Sequence, residues 1–172
     1  MGNKAGGHGG ISIGAAMARE MVEATKQEIG QAAEPQKRNV FISFQHEDLN
    51  DVNLLRAQSA NDNSRLTFND WSLKEPFDSE QGDYIRRGIR ERIRQASVTV
   101  VYVGDATHQS KWVDWEVRET IELGKGVVAV HKGTTPPKRL PAVLIANNIP
   151  VIPWSTQGIT DAIEHATLAR KR

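Results

Sequence analysis

From Val40 to its end, the chain alternates short, nearly continuous apolar runs with longer segments whose apolar residues recur every three or four positions. That change of period restricts the possible folds more than any other feature, because neither an all-helical nor an all-strand core accommodates it. Val40-Phe41-Ile42-Ser43-Phe44 is the first run, as expected for a strand covered on both faces of a parallel sheet. The spacing predicts a helix over 48–60, opened by Asp48 as a cap and turning Leu49, Val52, Leu55 and Ala60 inward. Leu66-Thr67-Phe68 reads as a short strand ending at Asn69-Asp70, and 71–82, with Pro76, as a long loop. Residues 84–96 form the next predicted helix, with Ile85, Ile89, Ile93 and Ala96 on one face and Arg86, Arg87, Arg90, Arg92 and Arg94 largely on the others. Val98 to Val103 is the clearest strand. A helix over 112–124, a strand over 127–131, an irregular connection over 133–148, a strand at Val151-Ile152 and a last helix from about Thr156 complete five βα units. The expectation is an α/β, flavodoxin-like three-layer sandwich: a five-stranded parallel sheet with helices on both faces and right-handed crossovers.

The start of the chain has a different composition. Gly2, Gly6, Gly7, Gly9 and Gly10 make its first ten residues costly in backbone entropy to order. An amphipathic helix is expected over 11–29, with Ile13, Met17, Met21, Ala24 and Ile29 near helical spacing, and Ala33-Glu34-Pro35-Gln36 reads as a linker. The expected division is therefore 1–37, a flexible glycine-rich start, amphipathic helix and linker, and 38–172, the α/β domain.

Composition removes several classes of function. With 38% hydrophobic and 25% charged residues the chain is neither disordered nor fibrous. A net charge of +1 supplies no bulk positive field for sequence-independent nucleic-acid binding. The absence of cysteine removes disulfide scaffolds, thiol nucleophiles, zinc ribbons and iron–sulfur clusters, and suits a cytoplasmic location. No stretch of about 18 apolar residues exists to cross a membrane, and Ala16-Met17-Ala18 follows too short and too broken an apolar run to serve as a signal-peptide site. The histidines at 8, 46, 108, 131 and 165 lack paired ligand spacing, so no metal is expected.

Ligands of such sheets sit at the carboxyl ends of the strands, which directs attention to Gln45–Asp48, Asn69–Trp71 and Gly104–Ser110. After the first strand stands Ser43-Phe44-Gln45-His46 in place of a glycine-rich phosphate loop, and no G-x-S-x-G elbow occurs anywhere. What remains is Ser110-Lys111-Trp112-Val113-Asp114-Trp115-Glu116. Trp112 and Glu116, four apart, share a helix face and set an indole beside a carboxylate at the mouth of the sheet. An aromatic can pack on a base or ribose while a desolvated carboxylate stabilises positive charge at an anomeric carbon. The same residues also have an ordinary use, since acids near a helix start favour its dipole and tryptophan fills cores.

Taken in order, Phe41-Ile42-Ser43-Phe44, the Phe68-Asn69-Asp70 strand end, the loop with Pro76, Ser110-x-Trp112-Val113-x-x-Glu116 and Gly124-Lys125-Gly126-Val127-Val128 resemble a TIR domain, most closely the bacterial TIR-like proteins of the Thoeris antiphage system. The resemblance covers about Arg38 to His131 well and the last forty residues loosely. It implies cleavage of the nicotinamide–ribose bond of NAD, with NAD as substrate and no separate cofactor. Glu116 is then the catalytic residue, Trp112 lines the pocket, and Phe44, Gln45, His46 and Asp70 contact ribose, base or phosphate. It further implies an ADP-ribose-derived second messenger, made by ADP-ribosyl transfer or cyclisation to a cyclic product, that activates a separate effector, a phage-derived trigger or partner sensor, and homo-oligomer assembly through the loop over 71–83. Three other readings fit parts of the chain. A non-enzymatic TIR adaptor would only assemble. A nucleoside deoxyribosyltransferase shares the topology and a glutamate. A receiver-like phosphoacceptor is suggested by Glu47, Asp48 and Asp105, but Pro150-Val151-Ile152-Pro153-Trp154 carries no lysine for a phosphoryl group.

Overall fold

The computed structural model of the chain describes residues 37–61, 68–70 and 82–169. The chain divides into two units, Met1–Gln36 and Lys37–Arg172, and the described residues all belong to the second. The helix expected over 11–29 lies outside them, as does the loop expected over 71–82 except for Gly82, which belongs to a helix.

Five strands, β1 (Arg38–Ser43), β2 (Phe68–Asp70), β3 (Val98–Tyr102), β4 (Gly126–His131) and β5 (Val151–Pro153), form one sheet in the order β2-β1-β3-β4-β5. All four pairings are parallel. Between the strands lie α1 (Leu49–Ala60), α2 (Gly82–Gln95), α3 (Lys111–Glu122) and α4 (Ala142–Ala146), and α5 (Thr156–Ala169) follows β5. Single 3-10 turns at His46–Asp48 and Thr107–Gln109 lead into α1 and α3.

Because strand side chains alternate between faces, the central strands β1, β3 and β4 supply cores on both faces. Val40, Ile42, Phe44, Val100, Tyr102 and Val130 pack with Val52 and Leu55 of α1 and Ile159 and Ile163 of α5. On the other face Val101, Val103 and Ala129 meet Val113 and Val117 of α3 and Val143 and Leu144 of α4, while Phe41 meets Ile85, Ile89 and Ile93 of α2. Burying each such side chain is worth about 1.5–3 kcal/mol, so continuously apolar strands are what a sheet with two covered faces requires. Gly126, where β4 begins, allows α5 to approach: a Cβ there would lie 2.6 Å from the Ala166 carbonyl oxygen.

Some local expectations are corrected. Ser59, not Ala60, is buried on α1, since 52, 55 and 59 continue the 3.6-residue period; its hydroxyl is satisfied by donating to the Arg56 carbonyl at 2.8 Å. Asp48 occupies the N-cap position of α1 without a side-chain capping bond. The connection expected to be irregular contains α4, whose five residues are too few to display a helical period. Helix α3 ends at Glu122, with Gly124 at φ 65° just beyond it. The Gly124 N–H bonds the Ile121 carbonyl and the Lys125 N–H the Thr120 carbonyl, each at 2.9 Å, a Schellman closure that favours glycine.

Candidate active site

Strands β1 and β3 are neighbours, but the chain leaves them toward opposite faces, β1 into α1 and β3 into α3. Their carboxyl ends therefore open a crevice, the switch point at which open α/β sheets bind ligands. Ser43, the last residue of β1, shares the alternation of Phe41 and so faces α2 and α3. Glu116 lies in the second turn of α3. That helix is fixed at its start by Ser110, whose hydroxyl accepts the Val113 N–H at 3.3 Å. It is fixed against the sheet by Thr120, whose hydroxyl lies 2.8 Å from that of Thr99 on β3.

These anchors bring Glu116 to Ser43. The buried Ser43 hydroxyl donates to Glu116 Oε2 at 2.5 Å. Although Glu116 as a residue is only half-buried, its carboxyl end has lost its water, and this desolvation pushes its pKa up to about 8; the Ser43 hydrogen bond pulls in the opposite direction. A carboxyl poised between its two states at the mouth of a crevice is the kind of group that catalytic sites assemble.

Trp112 is half-buried beside it. Its ring lies 5.7 Å from that of Trp115 in an edge-to-face arrangement, and the Arg86 guanidinium stands 5.7 and 5.6 Å from the two ring centres. Trp112 is thus both a packing residue against α2 and a wall on the Glu116 face of α3.

The other expected contacts separate. The Phe44 side chain points to the α1 face and is 6% exposed in that core, covered by the Arg56 guanidinium 5.4 Å from its ring centre. Arg56 also donates to Asp70 at 2.7 Å. Phe44 and Asp70 therefore join through Arg56 on the far side of the sheet from Glu116, and the Phe44 ring has no free face for a ligand; its backbone alone reaches the strand end. Gln45 and His46 stay at the mouth, Gln45 half-buried with its carbonyl accepting the Asp48 N–H at 2.9 Å and His46 exposed.

Two features escaped the sequence reading. Ser43 is one; the signal available was a single polar residue in an otherwise apolar strand. The other is a polar chain along the α1 side of the crevice. The Thr107 hydroxyl accepts the Gly104 N–H at 2.8 Å and donates to Asp48 at 3.2 Å, linking the two loops across the switch point. Burial raises the Asp48 pKa. A Cβ on Gly104 would lie 2.1 Å from Asp48 Oδ1, so a larger residue there would displace the Asp48 carboxylate from its present place. Asp51 accepts from Lys132 and from the Tyr102 hydroxyl, each at 2.8 Å, and the Lys132 bond is the main reason its pKa is lowered. Among the described residues no three His, Asp or Glu side chains converge as metal ligands.

Residues 41–136 match the family model of the Thoeris protein ThsB, TIR-like domain. Over 99 residues the chain is 30% identical to a Bacillus cereus (strain MSX-D12) protein named "Putative cyclic ADP-D-ribose synthase ThsB1". The match takes in 55% of this chain and 51% of that protein, so the chain spans about half the length of this curated relative. Among solved structures, the Clostridium botulinum CMP N-glycosidase BcmB aligns over 74% of this chain and 99% of its own at 13% identity and TM-score 0.44. The TIR domains of the activated Roq1 resistosome, which recognises the pathogen effector XopQ, align over 79% and 75% at 17% identity and TM-score 0.45. With more than half of its residues matched by the family model, the chain belongs to the Thoeris ThsB TIR-like domain family.

Proposed function

We propose that this protein cleaves the nicotinamide–ribose bond of NAD at Glu116 and releases an ADP-ribose-derived, cyclic nucleotide as a signal in antiphage defence. The observation that carries the reading is the desolvated Glu116 carboxyl, held by Ser43 where the carboxyl ends of β1 and β3 part. Family membership and the name of the relative support the choice of NAD as substrate.

The chemistry suits one carboxylate without an acid partner. Nicotinamide is joined to ribose as a cationic pyridinium, so it departs neutral, taking the electrons of the C–N bond and needing no proton. Positive charge then develops on the ribosyl carbon and ring oxygen, and a carboxylate in low dielectric stabilises it far more than one in water. When an oxygen or nitrogen nucleophile attacks that carbon, Glu116 is the base available for its proton. Glu116 must act ionised. The bound nicotinamide cation favours that state, as any nearby positive charge lowers a carboxyl pKa. Trp112 borders the pocket, and Gln45 and His46 border the crevice mouth from β1. Activation in this reading follows a phage-derived trigger and assembly of like subunits, and the product acts on a separate effector.

The test is chromatography of the purified chain incubated with NAD, with and without a crowding agent, beside Glu116→Gln. The expected result is nicotinamide release by the native protein and a loss of at least about 100-fold in the variant, the scale of removing one transition-state charge partner. A nucleotide peak distinct from linear ADP-ribose identifies a cyclic product. Equal nicotinamide release by both proteins would overturn the role of Glu116, and intact NAD in crowded samples and in phage-infected lysate would leave an assembling adaptor as the function.

A further inference from the structure

Among the described residues, the Ser43 hydroxyl is the one hydrogen-bond donor to the Glu116 carboxyl. It comes from a different element, 73 positions away in sequence, and from a side chain with 0% exposure. Its neighbours along the sheet on that face, Phe41 two residues earlier on β1 and Val101 opposite it on β3, are apolar. From these observations we infer that Ser43 is a positioning residue for the reaction at Glu116, clamping Oε2 so that the carboxylate meets the ribosyl cation in a fixed orientation. This inference rests on the NAD-cleaving reading above.

The physical argument has two parts. A glutamate side chain has three rotatable bonds, and one short bond from a strand end removes most of that freedom before substrate arrives, which is how preorganised electrostatics gains its advantage. A hydroxyl that donates to a carboxylate also favours the ionised form over the neutral one, and the ionised form is the one the leaving cation requires. No charged group replaces it. The α2 helix turns Arg86 onto the two tryptophan rings and Arg90 toward Glu119 at 3.0 Å. On α3 itself Asp114 and Arg118 pair with each other at 2.7 Å. From β4, His131 lies on the same sheet face with 1% exposure, its Nδ1 3.1 Å from the Lys132 carbonyl. The described residues of β1 and β3 on this face, and α4, bring no ionisable group. Burial and Ser43 are accordingly the two influences that set the Glu116 charge.

The experiment compares the full chain with Ser43→Ala, Ser43→Thr and Glu116→Gln. Nicotinamide release from NAD is measured as kcat and KM across pH, and the carboxyl is titrated by carbon NMR on glutamate-labelled protein, Glu116→Gln identifying its signal. The expected result for Ser43→Ala is a 10- to 100-fold fall in kcat with KM changed less than about threefold. The acidic limb of the kcat profile and the NMR titration should both move to higher pH by about one unit, and Ser43→Thr, which keeps the hydroxyl, should restore both. Unchanged melting of Ser43→Ala separates this from misfolding. Ser43→Ala with native kcat and native titration, while Glu116→Gln is inactive, would overturn the role of Ser43 and leave the NAD reading standing. Native protein that leaves NAD intact in crowded samples and in phage-infected lysate would overturn the NAD reading and this inference with it, and a Glu116→Gln variant as active as native would overturn the role of Glu116 and with it that of Ser43, whatever the titration shows.

Discussion

At the scale of single residues, Glu116 holds a cost that its surroundings do not cancel. Its pKa in the folded chain is about 8 against the usual 4.5, so the native state binds its proton more tightly than the unfolded state. Stability from that proton is complete below about pH 4.5 and is lost as pH rises toward 8. Each pH unit between the two values is worth about 1.4 kcal/mol. Glu116→Gln, which keeps the shape and removes the charge, is therefore expected to be more stable than the native protein by a few kcal/mol at pH 9 and nearly equal to it at pH 4. Urea unfolding at the two pH values measures this, and a difference independent of pH would show that the carboxyl is well solvated. A site that loses stability where its catalyst ionises follows the common trade between stability and activity.

At the scale of elements, α3 decides where the site is. Its N-terminus is held by Ser110, its middle by Thr120 against Thr99, and its end by the Gly124 closure. The carboxyl of Glu116 reaches Ser43 only if that helix keeps its height and rotation against β3. Ser110→Ala removes the one side-chain cap and should cost about 0.5–2 kcal/mol, read as a lower melting temperature. It should also lower nicotinamide release by more than the unfolded fraction accounts for. A melting shift with full specific activity would mean that the helix start does not set the carboxylate. The α2 arginines have divided uses at this scale: Arg86 covers two indoles, Arg90 pairs with Glu119 and Arg94 with Glu91.

At the scale of the whole molecule, the first strand and the last helix hold the α/β unit closed. Arg38 donates through two nitrogens to the two carboxylate oxygens of Glu164, both at 2.9 Å, across 126 residues of sequence. Hydrogen bonding to Arg38 holds the Glu164 pKa below the usual 4.5. The pair therefore contributes above that value and loses its contribution as pH falls through the depressed one. Because both side chains keep part of their water, its worth is about 1 kcal/mol. Arg38→Gln should lower the urea midpoint by a corresponding amount at pH 7, with the deficit shrinking as the solution is acidified below pH 4. A deficit of constant size would assign the loss to packing of the Arg38 stem and not to charge.

The hydrophobic period by itself determined the order of the strands and of the helices longer than α4, the two-sided burial of the sheet and the inward face of α2, because each is written locally in residues two, three or four positions apart. Ile85, Ile89, Ile93 and Ala96, read as one face, are all buried. Glu116 and Trp112 were legible as neighbours because one turn of helix is also a local relation. Only the tertiary structure decided the rest. Whether Phe44 faces Glu116 or Arg56 depends on strand parity relative to helices dozens of residues away, and it faces Arg56. Asp48 read as a cap, yet its carboxylate is taken by Thr107, 59 positions on. The Ser43 bond to Glu116 spans 73 positions. A short-range pattern states which residues are buried; which buried residue meets which is fixed by the way strands and helices pack, and there a carboxylate obtains its partner and its pKa.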